Sequence, residues 1–197
     1  MPRLVLVLAL LAPACALAQS ESEVAPRLES IPTLAAHSSG ALVAILSEAR
    51  GALSLRLPRL SPRADSRKAA DWAQRRFAPW VTDRARAMSA TERAAYSLYL
   101  GAGREGALAA AIVAVVYEDF VRVATRVPVP HDLARDPDLR AAYLGAFREA
   151  FTPTASVAEN AYERCRSTAT GAGESALAAF CEGRARAVRE SFSVPSP

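Results

Sequence analysis

The stretch Gly106-Ala107-Leu108-Ala109-Ala110-Ala111-Ile112-Val113-Ala114-Val115-Val116-Tyr117 carries no charge. A helix that is apolar on every side belongs inside other helices, so this run predicts a central, covered helix over about 105–127. It is too short to cross a bilayer, which takes about 20 apolar residues. Val127-Pro128-Val129-Pro130 ends it, because proline cannot donate to the helical ladder and restricts the residue before it.

Working outward, the flanking signals also read as helices. On the N-terminal side Gly101, Gly103 and Gly106 punctuate the chain, and Ser89-Ala90-Thr91-Glu92 has the form of a capping box opening a helix to about residue 100. Ala69, Trp72, Ala73, Arg76 and Phe77 fall on one helical stripe, which Pro79 either kinks or ends by opening the next helix. On the C-terminal side Asp136-Pro137-Asp138 supplies a cap, a first-turn proline and an acid for a helix to about 151. Thr152-Pro153 repeats the device for a helix over 154–168, and a last one spans 174–191 after Thr170-Gly171-Ala172-Gly173. No segment alternates with a period of two, so the expected fold is all-α, with six or seven helices in antiparallel hairpins.

The chain has 197 residues, 51% of them hydrophobic and 22% charged, with a net charge of +4. That suits one domain with a real core and excludes wholesale disorder. Residues 1–18 read as a secretory leader: Arg3, an apolar run over 4–12, and Ala16-Leu17-Ala18 before a cleavage that leaves Gln19 first. An uncleaved anchor and lipidation at Cys15 are the alternatives, but the apolar run is about half of a spanning helix and Ala12-Pro13-Ala14 lacks the usual opening Leu or Val. Residues 19–63 are expected as a flexible lead-in with one short helix over 38–50, residues 64–191 as the helical domain, and residues 192–197 as a tail. A periplasmic or secreted location follows from the leader.

Cys165 and Cys181 are the cysteines left after the leader, and each stands eight residues from Gly173. Folding a hairpin at that glycine sets them at one height, which predicts a structural disulfide in an oxidising compartment. Closing a loop of about 15 residues is worth about 3 kcal/mol. A redox-active dithiol would favour the closer Cys-x-x-Cys spacing.

Residues 66–190 resemble the C-terminal parts of tetratricopeptide-like helical proteins from the envelopes of myxobacteria and their relatives. The residues that carry the likeness are Tyr117-Glu118-Asp119-Phe120, the turn from Val127 through Pro130 to Leu133, Tyr143, Pro153 and the helix bearing Ala158, Ala161, Tyr162 and Cys165. Thr170 stands where that family prefers proline, and no 34-residue repeat is visible, so the likeness is to a degenerate array. The resemblance implies protein–protein interaction rather than catalysis.

Candidate chemistry is sparse. Two histidines and the lack of a glycine-rich phosphate loop leave little for metal or nucleotide chemistry. Glu118 is expected to pair with Arg122 one turn on. Asp119 shares a face with Ile112, Val115, Val116 and Val123, so if buried it must protonate or find a donor such as Arg122 or Arg126. Its catalytic version would be an acid or base of raised pKa. His131-Asp132 reads as a capped turn rather than a dyad, since no Ser or Cys nucleophile is placed near it by any motif, and His37 is uninformative.

Residues 56–86 hold nine basic residues, among them Arg67, Lys68, Arg75, Arg76, Arg84 and Arg86, against Asp65, Asp71 and Asp83, with Trp72 and Trp80 interleaved. Such a face suits anionic lipid or glycan if the tryptophans are exposed. The expected function is therefore an exported, non-catalytic helical module that binds another envelope protein, without cofactor, metal or nucleic acid. The alternative is an envelope-surface binder using residues 56–86, and a third reading is an enzyme using Asp119.

Overall fold

In the computed structural model, residues 27–36 and 39–192 are described. The leader, Cys15, the cleavage position, His37 and residues 193–197 of the tail lie outside them. Every regular element among the described residues is a helix: α1 Gly40–Ser54, α2 Ser66–Trp72, α3 Ala78–Tyr99, α4 Arg104–Ala124, α5 Pro137–Gly171 and α6 Ser175–Phe192. The fold is all-α, and α4 is its axis. Residues 106–116 are all buried, as the uncharged run requires. α1 and α3 cover one side of α4, and the α5–α6 hairpin covers the other.

Two expected helix boundaries do not exist, and with α2 running into α3 the six or seven rods become five. The first is Ser89–Glu92, which lies inside α3. Thr91 is buried there and its hydroxyl donates to the Ala87 carbonyl at 3.1 Å instead of capping a helix. The second is Thr152-Pro153, which lies inside α5. Proline leaves the Glu149 carbonyl without its usual donor, but the rod continues because Phe151, Ala155 and Ala158 are buried against the core. Thr152 bonds back to the Arg148 carbonyl at 2.9 Å and Ser156 to the Thr152 carbonyl at 3.2 Å.

Pro79 stands in the first turn of α3, as expected for a proline that opens a helix, but the backbone stays helical before it. A π turn, Ala73–Phe77, joins α2 to α3, with the Ala78 N–H donating to the carbonyl of Ala73, five residues back. The wider turn makes room where the proline ring would meet the Arg75 carbonyl. It also turns Trp72, Phe77 and Trp80 to one side. Phe77 stacks between Trp72 at 5.3 Å and Trp80 at 5.6 Å, and Trp80 reaches Phe120 of α4 at 5.5 Å.

Parts of the expected lead-in over 19–63 pack into the core. Leu28, Ile31 and Leu34 are buried, and α1 buries Leu42, Ile45, Ala49 and Ala52 completely. Ser39 caps α1, accepting the Leu42 N–H at 3.3 Å, and the helix runs past residue 50 to Ser54. The cap expected at Asp136 is present, its carboxylate accepting from the N–H groups of Asp138 and Leu139 at 2.9 and 3.2 Å. The segment between α4 and α5 is strapped to the start of α2. His131 N–H donates to the Ala64 carbonyl, and Asp132 accepts from the Ser66 N–H at 2.9 Å and its hydroxyl at 2.5 Å.

The turn between α3 and α4 admits only glycine at residue 106. A Cβ there would stand 2.4 Å from the Gly101 carbonyl oxygen. Gly106→Ala is expected to destabilise the protein by about 2 kcal/mol through overpacking. Gly145→Ala, on an open helical surface with nothing within 4 Å of the new Cβ, is expected to stabilise it by about 0.5–1 kcal/mol. Urea titration of the two variants checks the pair.

Candidate functional site

The two acids that close the apolar run of α4 point to opposite layers. Glu118 turns toward the α5–α6 hairpin. It accepts a 2.6 Å hydrogen bond from the Tyr162 hydroxyl, a second at 3.2 Å from Arg184 Nε, and an ion pair from the Arg184 terminal nitrogen. Asp119 turns toward α1 and α3. One carboxylate oxygen pairs with Arg84 and the other with Arg122 at 3.1 Å. Arg84 also donates to the carbonyls of Ala52 and Leu55 at the end of α1, so one guanidinium ties three helices.

These contacts bear out one expectation and correct two. Glu118 does not pair with Arg122, whose partner is Asp119; Glu118 is directed into the α5–α6 interface instead. Asp119 takes Arg122, one of its two expected donors, and adds Arg84 in place of Arg126. Arg84 is 1% exposed, so it leaves the basic face altogether. Burial pulls the Arg84 pKa down, and the Asp119 carboxylate works against that shift.

The disulfide helps hold the first clamp. Cys165 and Cys181 are fully buried with sulfurs 2.05 Å and Cα atoms 6.1 Å apart. Cys165 lies one turn beyond Tyr162 and Cys181 one turn before Arg184, so the bridge fixes the hairpin register that brings both donors to Glu118. The hairpin bends at Gly173, whose φ of 74° favours glycine.

The other candidates disperse. Trp72 and Trp80 are buried, not interleaved at the surface. Arg75 pairs with Asp71 at 2.8 Å and Arg86 with Asp83 at 3.0 Å, leaving Arg67, Lys68 and Arg76 as the exposed remainder on 67–86. Asp132 is spent on Ser66, which lowers its pKa, while the His131 ring stands 3.5 Å from Arg135. The two do not act together. Among the described residues no three His, Cys, Asp or Glu side chains gather to hold a metal ion.

What remains is an apolar groove. α3 and α5 flank α4 without closing over it, leaving a cleft of about 570 Å³. Val113 and Ala161 form its floor, Tyr96, Tyr99 and Leu100 one wall, and Val157 the other. Arg164 braces the Tyr99 wall: its Nε donates to the Tyr99 carbonyl at 2.6 Å, and its guanidinium lies 4.9 Å over the Tyr99 ring. Farther along α4, Tyr117 bonds to Glu92, and burial together with that contact raises the tyrosine pKa. A smaller cavity of about 240 Å³ borders Glu118, Arg122, Arg148 and Val188. Its acid is already engaged by Tyr162 and Arg184, so it offers no free proton-transfer group.

Comparison of the chain with known protein families, curated proteins and solved structures finds no match to any of them.

Breaking either clamp strands a buried charge. Asp119→Ala and Glu118→Ala are each expected to destabilise the protein by about 3–5 kcal/mol in urea titration, whereas Arg75→Ala at an exposed pair should cost less than about 1 kcal/mol. Burial holds the Tyr162 pKa well above 10.0 in the fold. The stability this contributes is complete below the unfolded value and is lost as pH rises past it. Unfolding midpoints should therefore fall above pH 10, and less steeply in Tyr162→Phe.

Proposed function

We propose that this protein is a non-catalytic helical interaction module of the bacterial cell envelope, exported by its leader, which holds an apolar segment of a partner protein in the α3–α5 groove. The observation that carries the reading is the convergence of exposed apolar side chains. Tyr96, Leu100 and Val157 are 66%, 57% and 39% exposed, and all three line this one cleft. Contiguous exposed apolar surface on a folded chain marks a contact site. Tyrosine is also the residue type that gives binding area at low cost in lost side-chain freedom.

Non-catalytic action fits the acids. Both carboxylate oxygens of Asp119 and of Glu118 are engaged by donors, which leaves neither poised as acid or base. Surface binding through residues 56–86 fits less well, because Arg84 and both tryptophans are turned inward and two of the outer arginines are neutralised by neighbours. Export is supported by the leader pattern and by a cysteine pair at disulfide distance, which suits an oxidising compartment. The tetratricopeptide-like resemblance of residues 66–190 points to the same kind of work.

A photo-crosslinking amino acid placed at Tyr96, in cells of the source organism, should yield a discrete adduct with one envelope protein. The same probe at Arg76 should not, and Val157→Asp should abolish the Tyr96 adduct while leaving the fold intact. Adducts at Arg76 with none at Tyr96 would overturn the groove reading. Protein recovered from those cells should begin at Gln19 and show no alkylatable thiol by intact mass.

A further inference from the structure

We propose that the α3–α5 groove takes an acidic amphipathic helix of the partner, an inference that rests on the groove being the interaction site. Three observations select that occupant. The first is length. Glu92 and Leu100 bracket the α3 wall eight residues apart, which is about 12 Å, or two helical turns. A helix laid along such a cleft presents side chains at i, i+4 and i+7 to its floor, the mode in which an apolar face enters a groove between helices.

The second observation is shape. A small-molecule site encloses most of its ligand, but here Tyr96 and Leu100 stand more than half exposed on the wall. Side chains that project in this way serve a partner that extends beyond the cleft. Val113 and Ala161, at 3% and 2% exposure, form a floor that anchor side chains would cover.

The third observation is charge. Glu92, the one acid of the lining, accepts the Tyr117 hydroxyl on its inner side and keeps its negative charge. Two cations outnumber it: Arg93 on the α3 rim and Arg164 against Tyr99, neither of which takes part in any of the ion pairs among the described residues. Arg164 is held in place through the Tyr99 carbonyl and ring rather than by a carboxylate. An apolar stripe flanked by Asp or Glu therefore complements the cleft, and one flanked by Lys or Arg is repelled.

The test uses two designed helical peptides of about 15 residues with the same Leu stripe, one flanked by Glu and the other by Lys, titrated into the purified protein. Amide shifts by NMR report where they bind, and fluorescence anisotropy reports how tightly. The Glu peptide should shift Val113, Leu100 and Val157 and bind about tenfold or more tightly than the Lys peptide, and Arg93→Glu, an exposed change, should shrink or invert the preference. Equal or tighter binding of the Lys peptide, or no shifts at the groove with either, overturns the proposal. Concentration-dependent shifts of the same amides without peptide would assign the groove to a second copy and overturn it as well. A Tyr96 crosslink in cells without acidic preference here would remove the partner chemistry and leave the groove reading standing, whereas loss of the Tyr96 crosslink removes both.

Discussion

Two adjacent carboxylates on one buried helix hold this fold together from opposite sides. Consecutive residues on a helix point about 100° apart, so Glu118 and Asp119 cannot serve the same neighbour. The first reaches Tyr162 and Arg184 of the α5–α6 hairpin, and the second reaches Arg84, which in turn binds the end of α1. Residues 107–116 of α4 are alanine, valine, isoleucine and leucine, which pack well but do not dictate how a flanking helix is rotated or how far it slides. Ion pairs in a low-dielectric setting do dictate it, because a charge left unpaired there is costly. The apolar run supplies the burial, and the two clamps supply the register.

That division explains what could be read from the sequence. The uncharged run over 106–117 marks the axis, the cap at Asp136 marks the start of α5, and the spacing of Cys165 and Cys181 about Gly173 marks the hairpin. Each is a local pattern with one physical reading. The capping-like Ser89–Glu92 and the internal Thr152-Pro153 mislead because tertiary burial of Thr91, Phe151 and Ala155 outweighs local signals worth a kcal/mol or so. Asp119 is legible as an acid on an apolar face, and proximity names its donor Arg122, but not Arg84, which lies 35 residues away. The missed signal lies on the partner helices. Arg84 falls on the stripe Trp80, Arg84, Met88, Thr91, Ala95, and Arg184 adjoins the stripe Leu177, Cys181, Ala185, Val188. An arginine at core spacing asks for a buried acid, and α4 has two.

The candidate site depends on the same constraint. α3 and α5 each pack on α4 and meet one another through Arg164 on Tyr99 and through Phe77, just before α3, against Phe147 and Phe151, and a cleft persists between them over Val113. No single segment reveals it, because its floor and walls come from three helices, and Tyr96, Leu100 and Val157 taken one at a time are ordinary exposed apolar residues. The basic segment shows the converse. It is conspicuous in sequence, yet folding turns Arg84, Trp72 and Trp80 into the core and pairs Arg75 and Arg86 with adjacent acids. Charge counted along a chain is a statement about composition, and helix rotation decides which of those charges meet solvent.

The most direct test of this account is native-state hydrogen exchange, resolved by helix, on Asp119→Asn and Glu118→Gln. If each carboxylate fixes its own layer, Asp119→Asn should raise exchange in α1 and α3 and leave α5 and α6 protected, and Glu118→Gln should do the reverse. An equal rise throughout the molecule in both variants would show that the two clamps are one cooperative unit and would contradict the division of labour proposed for α4.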